Sequence, residues 1–263
     1  MKHTLLAGLT VLALLAAPQV GTAFSPAAKP AARPPLEQPA PLKGVPERIV
    51  RHTGYVLSFN SQTLCPNWSA WELTAAETEG TERRFTEFLP DPQLLVAQQV
   101  TTYDYKGSGY DRGHMCPSAD MKWSPVAQRE CFYLSNICPQ DRSLNSGAWS
   151  KLEKACRRWA QQEGKVYIVC GPVFDKQRKH LTIGRNLRIQ VPNGFFKVVL
   201  STRRGGEKAI GFYYSNRDSR QTMDEAAMSV DQVERLTGMD FFPQLNDALE
   251  KRVEADYNLR AWR

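Results

Sequence analysis

Three strand-like runs follow one another in the second half of the chain: Leu187 to Val191, Phe195 to Ser201 and Ala209 to Tyr214. The gaps between them are short and carry Asn193-Gly194 and Gly205-Gly206, dipeptides that favour hairpin turns. Consecutive strands joined this tightly pair antiparallel, because a parallel pair needs a long crossover. An apolar run at Val166 to Cys170, closed by Gly171-Pro172, precedes them, and Tyr55 to Phe59, Trp68 to Leu73 and Phe132 to Ile137 also read as strands. Helical spacing is confined to a few segments. Ala148 to Gln162 places Leu152, Cys156 and Trp159 on one face, with Gly164 as its stop. Ser229 and Gln232 form a capping box for a helix through Leu236, and Leu245, Leu249 and Val253 mark a last one. Strands in runs with helices set apart predict an α+β fold, not alternating βαβ units.

The ends of the chain read differently. Lys2, an apolar run from Leu5 to Ala17, and Gly21 and Ala23 follow the order of a secretory signal peptide over residues 1–23. Residues 24–48 hold seven prolines, from Pro26 to Pro46, and are expected to form an extended linker. The folded domain is expected over residues 49–263. The apolar run is short for a membrane span, so the mature chain is expected to be secreted or extracytoplasmic, without membrane insertion.

An exported chain with an even number of cysteines predicts disulfides. The six are Cys65, Cys116, Cys131, Cys138, Cys156 and Cys170, and helix-to-strand packing suggests Cys156 with Cys170. The four histidines show no zinc-ligand spacing. A formal charge of +7 suits polyanionic partners and equally suits simple solubility.

Chemistry-bearing residues concentrate between Asp111 and Glu153. In Asp111-Arg112-Gly113-His114 a group that titrates near neutrality adjoins a planar cationic fork, and Gly113 is expected to permit a tight turn. Asn145 lies 31 residues beyond His114, at the start of the predicted helix, where an N-cap is the simplest structural role. Glu153 lies two turns further on, where a solvated helix-face acid is the simplest role. Asp111 is expected to orient the loop or pair with a base, and Asp120 to serve a turn or hydrogen bond. Trp68, Trp71, Trp149 and Trp159 are expected in the core.

Taken together, DRGH from Asp111, SNICPQ from Ser135 and LNSGAWSKLE from Leu144 resemble the DNA/RNA non-specific endonuclease family. LCPNWSAWELT from Leu64, VCGPVF from Val169 and LTGMDFFPQL from Leu236 extend the resemblance over most of residues 50–250. It implies a ββα-metal (His-Me finger) fold around a central, mainly antiparallel sheet. It implies His114 as general base and Asn145 as the single protein ligand of a hydrated divalent metal, Mg2+ foremost, with Mn2+ or another cation as alternatives. Arg112 matches the arginine that holds phosphate or stabilises the transition state, and Glu153 the acid facing the metal's water shell. Asn136 falls near the site without a chemical step, and a second, earlier arginine has no assigned match.

The implied activity is a metal-dependent endonuclease acting on DNA and RNA with little sequence preference, giving 5′-phosphate and 3′-hydroxyl ends. One alternative is a nucleic-acid-binding protein on the same fold that has lost catalysis. Another is a hydrolase of small phosphodiesters. Oligomeric state is left open.

Overall fold

The computed structural model describes Met1 and residues 34–175, 177, 181–217 and 220–263. The signal-peptide reading, residues 24–33 of the expected linker and His180 lie outside the described residues.

Among the described residues eleven strands run in chain order as β1 (Arg48–Arg51), β2 (Val56–Asn60), β3 (Cys65–Thr74), β4 (Asp111–His114), β5 (Ile137–Gln140), β6 (Lys165–Val173), β7 (Thr182–Ile183), β8 (Ile189–Gln190), β9 (Gly194–Ser201), β10 (Lys208–Ser215) and β11 (Ala227–Met228). Seven of them form one sheet in the order β1-β2-β3-β6-β9-β10-β11, antiparallel throughout. Alternation along β9 decides what each face buries. Phe195 and Val199 enter one apolar core and Phe196, Val198 and Leu200 the other.

The helices are α1 (Ala75–Thr78), α2 (Thr102–Tyr105), α3 (Pro125–Glu130), α4 (Arg142–Leu144), α5 (Ser150–Glu163), α6 (Met223–Ala226), α7 (Val230–Thr237) and α8 (Asp247–Glu254). The stripe of Leu152, Ala155, Cys156, Trp159 and Ala160 packs α5 into the first core. The predicted stop is there, with Gly164 at φ 85°. On the other face, Val230 and Val233 of α7 and Val253 of α8 fill the second core. The Ser229–Gln232 capping box is formed in both directions. The four tryptophans expected in the core are all buried.

Several expectations are corrected. Phe132 to Ile137 is not a strand. Leu134–Asn136 is a 3-10 turn, and the strand begins only at Ile137. Phe132, Leu134 and Ile137 are apolar because they sit in the first core, and the only ladder pairing before β5 is an isolated bridge between Leu89 and Tyr133 among the described residues. Leu187 to Val191 shrinks to β8, since the Asp104 carboxylate accepts the N–H groups of Asn186 and Leu187. The later part of the expected linker is docked instead of extended away. Leu36 and Leu42 pack on the second core, Pro39 is buried, and the Ala40 N–H donates to the Asp240 carbonyl at 3.0 Å. Pro34–Arg263 accordingly forms one compact unit.

The disulfide expectation is also corrected: all six cysteines are free and buried. They behave as small apolar residues with weak S–H donors. Cys131 donates to the Gln128 carbonyl and Cys170 to the Met115 carbonyl, each at 3.1 Å. Among the described residues no helix is long and apolar enough to cross a membrane.

Candidate active site

β4 and β5 form a two-stranded ribbon with Arg112 opposite Pro139, Gly113 opposite Cys138 and His114 opposite Ile137. The two-residue period of a strand puts Arg112 and His114 on one face and Asp111 and Gly113 on the other. Gly113 therefore does not serve a turn. A Cβ there would lie 2.2 Å from Gln140 Oε1 and 2.6 Å from Gln140 Cβ, so glycine makes room for the cross-strand glutamine. Asn136 secures the strand's exit. Its Oδ1 accepts from Ser69 Oγ and the Cys116 N–H, and its Nδ2 donates to the carbonyls of Cys116 and Cys131. Its side chain thus makes four hydrogen bonds, two of them to Cys116 just beyond His114, which tie that chain to β3 and to Cys131.

His114 is only 9% exposed. Its ring meets Phe132 edge-on at 4.7 Å and Phe88 at 5.3 Å. Each of those rings is covered by an arginine, Arg84 5.0 Å from the Phe132 centroid and Arg112 4.4 Å from that of Phe88. Burial, followed by the charges of Arg84 and Arg112, pushes the imidazole pKa down to about 3. The ring is thus neutral at physiological pH, and its buried Nε2 has no hydrogen-bond partner among the described residues.

Asn145 begins a π-helical turn, Asn145–Trp149, inserted between α4 and α5, with a kink at Gly147. It is not the N-cap. That position belongs to Asp141, whose Oδ1 accepts the N–H groups of Ser143 at 2.8 Å and Leu144 at 3.3 Å. Asn145 instead donates Nδ2 to Asp111 Oδ2 at 3.1 Å, while Arg142 Nε donates to Asp111 Oδ1 at 3.3 Å. Asp111 thus has the pairing role expected of it, and it ties the histidine strand to the asparagine helix. With Nδ2 engaged, Asn145 Oδ1 accepts no hydrogen bond among the described residues and remains a hard oxygen donor.

Glu153, half-buried on α5, makes no hydrogen bond among the described residues. Burial raises its pKa to about 7, against the lowering effect of Lys197, with Asp120 raising it and Arg157 and Arg84 lowering it. Lys197 is itself buried in β9, with its ammonium 5.2 Å from the Trp71 ring centroid and 4.6 Å from that of Trp149. Asp120, expected in a hydrogen-bonding role, pairs with Arg157 at 2.7 Å and accepts from Trp71 Nε1 at 3.1 Å.

Two cations were missed from sequence. Lys197 sits in a run of strand residues with nothing to separate it from a surface lysine. Arg84 lies in an irregular segment placed only by tertiary bonds, Glu82 N–H to the Lys122 carbonyl and Phe85 N–H to Gln128 Oε1. No local pattern announces either. Arg84 lies over Phe132, the ring that meets His114 edge-on, and its charge acts on both His114 and Glu153.

The site opens into a cleft of about 510 Å³, lined by Lys106, Arg112, Arg142, Tyr110, Phe88 and Asn145 among others. Three cationic side chains around an open cleft suit a phosphate backbone. Asn145 lines this cleft, and its free amide oxygen is a hard donor that fits a hydrated divalent cation held by one protein ligand.

Residues 36–248 match the model of the DNA/RNA non-specific endonuclease family. The mitochondrial nuclease EXOG of Xenopus laevis is 33% identical over 232 residues, covering 82% of this chain and 64% of that protein. The mitochondrial endonuclease G of Homo sapiens is 32% identical over 203 residues, covering 73% and 68%. A solved complex of EndoG with EndoGI aligns with a TM-score of 0.70 at 27% identity, over 76% of this chain and 87% of that one. The chain spans about 60% of the length of the EXOG relatives it matches. These nucleases are mitochondrial by name, and that finding overturns the expectation of a secreted or extracytoplasmic protein. The structural likeness agrees with the ββα-metal nuclease fold.

Proposed function

The chain belongs to the DNA/RNA non-specific endonuclease family, and on that premise we propose that it hydrolyses phosphodiester bonds within DNA and RNA with the help of a divalent cation. The observation that carries the reading is the neutral, arginine-flanked His114 on a strand bonded through Asp111 to Asn145.

In this reading Arg112, exposed in the cleft, and Arg84 hold the phosphate, and Lys106 and Arg142 engage neighbouring phosphates along the strand. His114, already deprotonated, takes the proton of the attacking water. Water oxygen bonds to phosphorus as the bond to the 3′-oxygen breaks, and the departing 3′-oxygen takes a proton from solvent, leaving a 5′-phosphate and a 3′-hydroxyl. Asn145 Oδ1 would hold the cation, Mg2+ foremost, and Glu153 would accept hydrogen bonds from its water shell. When bound, the cation stabilises charge developing on the phosphate and the leaving oxygen. Asp111 keeps the Asn145 amide oriented, with its oxygen free for the cation. Recognition through phosphate contacts accounts for weak base preference.

The test is degradation of supercoiled plasmid and of a long RNA by the purified chain, with Mg2+ and with EDTA. Cleavage of both in Mg2+ alone is the expected result. Binding without cleavage under every cation tried favours the catalytically inactive alternative. Turnover of dinucleotides with plasmid left intact favours the small-substrate hydrolase.

A further inference from the structure

Three carboxylates converge on the face of the sheet away from His114. Asp231 and Glu234 stand one helical turn apart on α7, and Glu254 closes α8. One ligand oxygen from each lies within 4.8 Å of the others. An acidic cluster at a surface is ordinarily solvated and needs no ion. Here the third member is different. Glu254 is only 4% exposed, and its Oε1 is buried with no hydrogen-bond partner among the described residues. A buried carboxylate oxygen left without a donor is costly, and like charges beside it add to the cost.

The charges that act on Glu254 most strongly are further carboxylates: Glu234, Glu250, Asp231 and Asp240. Arg252, on the same helix, is directed to Glu207 at 3.3 Å instead. Glu234 has one oxygen committed to the Phe241 N–H at 2.8 Å, which fixes its carboxylate. The arrangement therefore has three hard oxygens close together, one carboxylate fixed by a backbone N–H, further carboxylates around them, and one buried oxygen lacking a partner among the described residues.

The structure assigns Asp231, Glu234 and Glu254 as a Ca2+ site, separate from the catalytic centre, that fastens α8 to α7. Ca2+ suits a set of three carboxylates, since it takes several carboxylate oxygens in a flexible geometry, whereas Mg2+ demands a near-ideal octahedron and keeps several of its waters. Water and Glu250 or Asp240 are the candidates for the remaining coordination. Without the ion, Glu254 is protonated: burial first, then these four carboxylates, raise its pKa to about 9.

The test uses the full chain carrying Asn145→Ala, which removes the proposed catalytic ligand and leaves this cluster intact. Binding is read by calorimetric titration with CaCl2 and by thermal melting in Ca2+, in Mg2+ and in EDTA. The expected result is one saturable Ca2+ and a Tm that rises with Ca2+ concentration, because only the folded state binds. Adding Glu254→Gln should weaken Ca2+ binding at least tenfold and abolish the Tm response. Its Tm in EDTA should match that of the parent, because glutamine is uncharged like the protonated acid it replaces, and this separates ligand loss from misfolding. Asp231→Asn, at a less buried position, should give the same loss. Absence of a Ca2+-dependent Tm rise in the Asn145→Ala chain overturns the site, as does a rise that survives both added substitutions. An equal or larger rise in Mg2+ overturns the assignment to Ca2+.

Discussion

Asn145 donates its amide nitrogen to Asp111 at 3.1 Å, a bond between the asparagine helix and the strand that carries His114. The bond orients Asn145 with its oxygen free. Asp111→Ala should therefore weaken the apparent affinity for the activating cation by about 10–100-fold, as loss of a partner behind a metal ligand does. Arg142→Ala removes only an exposed ion pair from the same carboxylate and should shift that affinity far less. Cation titrations of plasmid cleavage check both. Equal effects of the two substitutions would remove Asp111 from an orienting role.

A crossed pair of substitutions separates ligand from cap. Asp141→Ala should cost about 1 kcal/mol of stability and leave most turnover, because Asp141 caps the helix. Asn145→Ala should do the reverse, losing cleavage with little change in Tm. Denaturant unfolding and cleavage rates on the same preparations decide it. A stability loss on the side of Asn145 contradicts the assignment.

How much of this site the sequence carried follows from how local each signal is. The strand-turn-helix segment with Arg112, His114, Asn145 and Glu153 lies within about forty residues, and its motifs were readable directly. The β9–β10 hairpin was equally legible, because alternation and the Gly205-Gly206 turn are local, but the hairpin expected at Asn193-Gly194 does not form: β8 pairs with β7 and β9 with β6 and β10. Arg84 and Lys197 were not, since long-range packing alone brings them to the site. The same holds for Gly113, which answers to a cross-strand neighbour, and for the helix start, where Asp141 competes with Asn145 for the cap. Phe132 to Ile137 shows the limit of periodicity: a short apolar run says buried, not strand.

His114 should stay neutral well below its ordinary pKa near 6.5. The unfolded chain takes up the proton near that value and the folded chain resists until about pH 3. The sign follows: the stabilisation is present above pH 6.5 and is lost as pH falls toward 3. Nitrogen NMR of metal-free protein should show no His114 titration between pH 5 and 8. In melting curves, the stability of wild type relative to His114→Asn should narrow on acidification over that lower window. A midpoint near pH 6.5 would contradict the buried, arginine-flanked environment.

Reductant should leave Tm unchanged, because all six cysteines are free. Burial pushes the Cys156 and Cys170 thiols up to about 12, so they should react with thiol reagents only after unfolding. Thiol counting with and without denaturant checks this. A Tm that drops in reductant would show that a bridge forms.

The most direct test of the account is single-turnover cleavage of an oligonucleotide duplex at saturating Mg2+ by wild type and His114→Ala, with duplex affinity measured alongside. The account predicts a loss of about 10²–10⁴-fold in cleavage, the range expected of a positioned general base, with affinity nearly unchanged because Arg84, Arg112 and Lys106 remain. Cleavage by His114→Ala within a few-fold of wild type would contradict it.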